Sequence, residues 1–302
     1  MAQPRTIKKA LVSNHYTLSM APNRLGWLSP SDPGTPKAVL WEQFRACGYL
    51  WLKNVLDRKE VLAFRRRFMA AFAEADLLAE GSDPLEGIFS GHENKGVAAH
   101  KLHEAVRWAA YEAFCLSAPV WQFYQEVLGG PPYLHKRKIL RYTRPGDPSC
   151  TGAHYDLTYL RAGTDRVYTS WIPIGDIPVE MGGLVYLEGS DAAGRRLEAE
   201  FSAGNQHLAP EDRISAYNKN MSEAGWITKD LPGLADRLSS RWLMADYEAG
   251  DMMIHSAYMI HAATTNEDPG GRIRVSTDIR YQLVTDAIDQ RWSQHWSVDD
   301  RL

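Results

Sequence analysis

The chain is 302 residues long, carries a net charge of −3, and is 44% hydrophobic, a proportion that supplies an ordinary globular core. The near-neutral balance argues against a protein that grips nucleic acid through phosphate contacts. No apolar run approaches the roughly 20 residues of a membrane span, and Met1–Arg5 leads into no apolar stretch of the signal-peptide kind, so a cytoplasmic protein with no nucleic-acid partner and no membrane span is expected.

Residues 1–36 hold Pro22, Pro30, Pro33 and Pro36 and little periodicity, which reads as an irregular arm. Ala38 to Cys47 predicts a short helix stopped by Gly48, and Gly48 to Leu52 a strand. Asp57 with Glu60 three residues later is a capping-box-like start. Val61, Leu62, Phe64, Phe68, Met69 and Phe72 then recur at helical spacing, so this helix should cover one face of a sheet. Gly81 to Gly96 is loop-like. A second helical region runs from about His100 to Leu128, interrupted near Pro119. No carboxylate motif frames His92, His100 or His103, which read as solvent or core histidines.

From Pro131 the texture changes to short strands with turn signals, the pattern of a sandwich or barrel. Arg137 to Thr143, Thr151 to Leu160, Arg166 to Ile172 and Gly182 to Leu187 are the strands expected first. Asp191 to Glu248 is too long for a turn and reads as surface padding or an active-site lid, helical over Leu231 to Leu238. Gly250 to His255 and Tyr258 to Thr265 read as paired strands. The last strand, Arg272 to Leu283, alternates strictly: Arg272, Arg274, Ser276, Asp278 and Arg280 share one face. That charged face either meets solvent or lines a polar cavity, and periodicity leaves both open. Cys47, Cys115 and Cys150 are an odd count with no close spacing and read as reduced thiols.

The chemistry concentrates at His154-Tyr155-Asp156. Strand alternation would put His154 and Asp156 on one face, two thirds of a 2-His-1-carboxylate facial triad for Fe(II). By itself His-x-Asp is most often a surface tripeptide, and its weight comes from the rest of the chain. His135-Lys136-Arg137-Lys138 with Arg141 and Arg144 could meet an anionic substrate, although charge runs usually form a solvated face and that reading is preferred. Trp226 and Trp242 could wall a hydrophobic pocket or pack in the core.

Taken together, Gly48-Tyr49 ahead of the Asp57 helix, His154-Tyr155-Asp156, Trp171 to Asp176, Glu180 to Gly183, Glu188-Gly189-Ser190, Gly250-Asp251, His261, Asn266 and Arg272 resemble, in order and over about residues 40–285, the phytanoyl-CoA dioxygenase family. The resemblance implies a mostly β, α+β fold: a double-stranded β-helix (jelly-roll, cupin-like) core with N-terminal helices packed on one sheet. It implies one domain over residues 1–302, with the core at about 131–285 and an insert or lid at about 191–248. It implies an oxidoreductase using Fe(II), 2-oxoglutarate and O2. Such an enzyme hydroxylates an unactivated C–H of a small molecule while converting 2-oxoglutarate to succinate and CO2.

The implied metal ligands are His154, Asp156 and His261. His255 competes, because the phrase Met252 to Asn266 holds two histidines, but the family's ligand matches the second. The family's arginine for the far carboxylate of 2-oxoglutarate lies eleven residues past that histidine and matches Arg272, with Arg274 the runner-up; a guanidinium suits the role because its fork bonds both oxygens and stays charged. Ala263 stands where many members carry Ser, and Leu184 where some carry Thr, so the arginine needs other help, from Thr151 or a tyrosine. Related halogenases lack the carboxylate ligand, so Asp156 favours hydroxylation. The expected substrate is a hydrophobic metabolite such as a natural-product intermediate. Two alternatives keep the fold: a metalloenzyme using the triad without 2-oxoglutarate, and a metal-free jelly-roll binding module.

Overall fold

The structure, a computed structural model, describes residues 7, 9–214 and 225–297. Met1–Arg5, on which the leader reading falls, and part of the 191–248 segment lie outside the described residues. In chain order the elements are β1 (Val12–Ser13), β2 (Tyr16–Thr17), β3 (Leu25–Trp27), α1 (Lys37–Cys47), β4 (Tyr49–Leu52), α2 (Arg58–Ala71), α3 (Lys95–Ala105), α4 (Ala109–Cys115), α5 (Ala118–Leu128), β5 (Pro132–Leu134), β6 (Ile139–Thr143), α6 (Leu157–Leu160), β7 (Tyr168–Pro173), β8 (Leu184–Leu187), α7 (Asp191–Gly204), α8 (Leu231–Arg237), β9 (Trp242–Met244), β10 (Met252–Ser256), β11 (His261–Ala263) and β12 (Arg274–Leu283). Among the described residues no helix is long and apolar enough to cross a membrane.

Two sheets make the jelly-roll core. The larger runs β4-β10-β7-β12-β5, with β6 also paired to β12, and the smaller runs β11-β8-β9-β3. The central strands β10, β7 and β12 of the larger sheet are buried on both faces, and the period of two sorts their side chains. From β10, Met252 and Ile254 point outward into a core shared with Leu40, Phe44, Val61, Phe64, Phe68 and Tyr124 of the helices. Met253 and Trp171 point inward, against Leu184, Tyr186 and Leu243 of the smaller sheet. The helices therefore cover one face of the large sheet, and the second sheet covers the other. Burying a side chain of this size stabilises by roughly 1.5–3 kcal/mol, so the outward row alone ties α1, α2 and α5 firmly to the sheet.

Local signals explain the helices. Gly48 ends α1 in the left-handed conformation at φ 79°, which glycine adopts without strain. Asp57 caps α2 by accepting from the N–H groups of Lys59 and Glu60 at 2.6 and 3.2 Å. The second helical region begins earlier than expected, at Lys95 behind the Asn94 cap, and divides into three helices. Pro119 lies in the first turn of α5, where its missing N–H would have had no helical partner.

Four expectations about the strands are corrected. Thr151 to Leu160 is no strand: Ala153 and His154 form isolated bridges, to Thr228 and His261, and the chain turns at Asp156, φ −68° and ψ −28°, into α6. Residues 250–255 and 258–265 do not pair with each other; β10 lies between β4 and β7 while β11 pairs β8 in the other sheet. The intervening corner is held by Ser190, whose Oγ accepts from the Ile260 N–H at 3.0 Å. The 191–248 segment is not wholly an insert, because it contributes β9 to the smaller sheet. The sheets also recruit β3 and β4 from well before residue 131.

Candidate metal centre

His154, Asp156 and His261 come together between the sheets, all buried, with one ligand atom from each within 4.8 Å of the others. A reciprocal bridge brings the two histidines side by side: the His154 N–H donates to His261 O at 3.0 Å, and the His261 N–H to His154 O at 2.9 Å. Their rings are 4.3 Å apart. Each ring is oriented from behind. Nδ1 of His154 meets Gly152 O at 2.9 Å, and Nδ1 of His261 meets Met259 O at 2.9 Å. A carbonyl can only accept, so both Nδ1 atoms carry the proton and both Nε2 lone pairs face the common point. Ligating histidines are commonly oriented in this way, by a carbonyl behind the ring. The Nε2 atoms lie 3.6 and 3.8 Å from Asp156 Oδ1. Burial, reinforced by the neighbouring His154 and His255, holds the His261 pKa well below the ordinary range, which keeps it neutral and able to ligate.

Asp156 is oriented through its other oxygen. His255 on β10, Thr169 on β7 and Arg280 on β12 are cross-strand neighbours, since His255 faces Thr169 and Thr169 faces Arg280 in the register. All three point at Asp156 Oδ2: the Thr169 hydroxyl donates to it, Arg280 Nη2 donates at 3.1 Å, and His255 Nε2 lies 3.4 Å away. Burial opposes ionisation of Asp156, but Arg280, with His154, His255 and His261, holds its pKa well below the usual carboxylate range. His255 thus sits on the Oδ2 side, bonded through Nδ1 to the Tyr186 hydroxyl at 3.0 Å and with its ring 4.3 Å from that of His261, and it is not one of the three residues whose ligand atoms cluster.

The strict alternation of β12 is now resolved in favour of a cavity. Arg274, Ser276, Asp278 and Arg280 are all buried, and Arg274 and Arg280 line a cavity of about 620 Å³ with His154, Asp156 and Thr151. Arg272 is not brought there. Its Nε and Nη2 close on Asp268 at 2.9 and 2.6 Å, and its side chain is 40% exposed. Arg274 is 5% exposed; its Nη1 donates to Gly182 O, and its Nε has no hydrogen-bond partner among the described residues. Burial, with Arg141 nearby, lowers its pKa to about 10, so it stays cationic at neutral pH.

The preferred solvated reading of the basic cluster holds for Lys136 and Arg141, which are exposed, and is overturned for His135, Arg137 and Lys138. His135, Arg137 and Lys138 are 1%, 3% and 1% exposed; Lys138 pairs with Glu112, and Arg137, Arg141 and Arg144 line the cavity. Charge density in the sequence signalled polarity but not direction, because an inward polar face is rare enough that solvent is the usual explanation. The tryptophans divide. Trp226 lines the cavity and packs on Gly152, whose backbone it approaches more closely than a Cβ would allow. Trp242 is core, with its indole N–H bonded to Leu231 O at 2.9 Å. The residues missed from the sequence are Thr169 and Arg280, and only the cross-strand register could have revealed them.

Comparison with known proteins gives concordant findings. The sequence model of the phytanoyl-CoA dioxygenase (PhyH) family matches residues 44–274. A 1-deoxypentalenic acid 11-beta-hydroxylase of Streptomyces arenae is 25% identical over 242 residues, covering 78% of this chain and 77% of the relative. Among solved structures, the carbocyclase SnoK from nogalamycin biosynthesis aligns with a TM-score of 0.55 at 18% identity, over 86% of this chain and 89% of its own. The epimerase SnoN, solved with Fe3+, alpha-ketoglutarate and nogalamycin RO, aligns with a TM-score of 0.55 at 17% identity, over 83% and 85%. At such identities the structural matches establish a shared fold.

Proposed function

This chain belongs to the phytanoyl-CoA dioxygenase family of iron- and 2-oxoglutarate-dependent oxidoreductases, and from that premise we propose that it hydroxylates an unactivated C–H bond of a small, largely apolar metabolite. The observation that carries this reading is the buried set of three ligand atoms within 4.8 Å. Two imidazoles and one carboxylate suit Fe(II) and leave coordination positions open. His154, Asp156 and His261 would hold the ion. When bound, Fe(II) with 2-oxoglutarate and O2 supplies oxidation of the C–H bond, coupled to release of succinate and CO2.

The chain's own residues orient and exclude. Thr169, Arg280 and His255 pin Asp156 Oδ2, leaving Oδ1 for the ion. Arg274, rather than Arg272, holds the far carboxylate of 2-oxoglutarate, because its buried Nε is unpartnered and it lines the cavity. Thr151 lines the same cavity and is proposed as its helper in place of the serine that Ala263 replaces. Trp226 and Tyr159 supply apolar surface that keeps bulk water from the site.

Anaerobic addition of Fe(II) and 2-oxoglutarate should produce a charge-transfer band in the visible, and His261→Ala should abolish it. A wild-type protein without the band, or an undiminished band in the variant, overturns the reading.

A further inference from the structure

The cavity holds more guanidinium groups than its cosubstrate can use. Arg137, Arg141, Arg144, Arg274 and Arg280 all line it. Arg141 is paired with Asp278, and Arg144 with Glu93 and Asp147. 2-Oxoglutarate bound to the metal by one end has one free carboxylate, which Arg274 takes. Arg280 stands six residues further along the same face of β12, about 20 Å away at Cα, at the other end of the cavity.

There Arg137 and Arg280 form a buried pair of like charge. They are 3% and 4% exposed, and both lie over Trp292, with guanidinium carbons 5.1 and 4.5 Å from its ring centroid. Arg280 gives Nη2 to Asp156, but its Nε and Nη1 are buried with no hydrogen-bond partner among the described residues. Burial, and then the charges of Arg280, Arg141 and Arg291, pull the Arg137 pKa down to about 10. Beside its bond to Asp156, Arg280 therefore keeps two buried donors unused, and buried donors are unfavourable unless an acceptor joins them. A divalent ion on Asp156 sharpens the demand, because that carboxylate then shares its charge with the ion.

We propose, resting on the function assigned above, that the substrate is an apolar molecule bearing a carboxylate, and that Arg137 and Arg280 bind this carboxylate beside Trp292. The apolar body then lies along Tyr159, Trp226 and Trp296, which line the same cavity. A phosphate would bring a second charge to a wall whose Arg141 and Arg144 already have acidic partners, so the single charge of a carboxylate fits better. The pocket thus has two anion sites at opposite ends of one strand face, and the substrate is oriented by its charged end.

The test is calorimetric titration of the anaerobic Fe(II)-loaded protein, with and without 2-oxoglutarate, using adamantane-1-carboxylate, its carboxamide and the corresponding phosphonate. The carboxylate is expected to bind at least tenfold more tightly than either analogue. Arg137→Gln should remove most of that preference, Arg137→Lys should restore part of it, and the affinity of Arg137→Gln for 2-oxoglutarate should stay within twofold of wild type. Equal binding of acid and amide, tighter binding of the phosphonate, or no binding of the acid overturns the proposal; the wild-type comparison decides this even if the variants fail to fold. Absence of 2-oxoglutarate binding instead overturns the assigned function, while the titration without cosubstrate still reads the second anion site.

Discussion

At the scale of single residues, Arg272 and Arg274, just before and at the start of β12, show how a two-residue displacement redirects chemistry. Counting eleven residues from His261 arrives at Arg272, but the turn from Asp268 to Gly271 closes Asp268 onto both the backbone N–H and the guanidinium of Arg272. Arg272 is thereby occupied outside the cavity, and Arg274 inherits the inward position. Hydrogen bonds to charged groups are worth about 1.5–3 kcal/mol, roughly ten- to hundredfold in affinity. Arg274→Gln should accordingly raise the KM for 2-oxoglutarate at least about tenfold, whereas Arg272→Gln should change it less than about twofold, because an exposed ion pair contributes little. Steady-state succinate formation measures both. The reverse ranking returns the clamp to Arg272.

At the scale of elements, β12 depends on a glycine in another segment. Gly182 has φ +77°, and a Cβ there would approach Thr264 O to 2.4 Å and the Thr265 carbonyl carbon to 2.7 Å. Its own carbonyl accepts from Arg274 Nη1. The Glu180–Gly183 turn is therefore pressed against the segment that follows β11 while it positions the cavity arginine. Gly182→Ala must both force alanine into the left-handed region, at about 1–2 kcal/mol, and displace the Thr264–Asn266 backbone. The expected outcome is a destabilisation above about 2 kcal/mol, read as a lower urea midpoint, together with weaker 2-oxoglutarate binding. A variant with wild-type stability and affinity contradicts this account of the turn.

At the scale of the whole molecule, the buried imidazoles set the acid limit. Burial is the main influence on His135 and lowers its pKa from 6.5 to about 4, with Arg280 lowering it further against the opposing Gln282 hydrogen bond and Asp289 charge. The folded pKa is depressed, so between pH 6.5 and 4 the unfolded chain takes up a proton that the folded chain refuses. Stability is full above the unfolded pKa and falls as pH drops through that window. The loss approaches about 3 kcal/mol at its acid end. Urea unfolding between pH 7 and 4.5 should show this decline, and His135→Gln, which cannot titrate, should lose part of it. His261 and His295, whose pKa values are depressed in the same direction, chiefly by burial, contribute to the remainder. A slope unaltered by the substitution assigns the acid sensitivity to other groups.

The sequence by itself determined the jelly-roll class, the capped and glycine-stopped helices α1 and α2, and the three residues that meet at the candidate metal centre. These are written in local signals or in a collinear set of motifs, and neither depends on knowing which strands are neighbours. Only the tertiary structure decided how His154 and Asp156 share a site, since a turn into α6 and a bridge to His261 do what strand alternation was expected to do. It alone turned His135, Arg137 and Lys138 inward, put Arg274 rather than Arg272 on the cavity wall, and lined up His255, Thr169 and Arg280 behind Asp156. The physical reason is the same in each case. A polar side chain has identical local sequence signals whether it faces water or a buried cavity, and only the pairing register and the layer packed above the strand determine which of the two it meets.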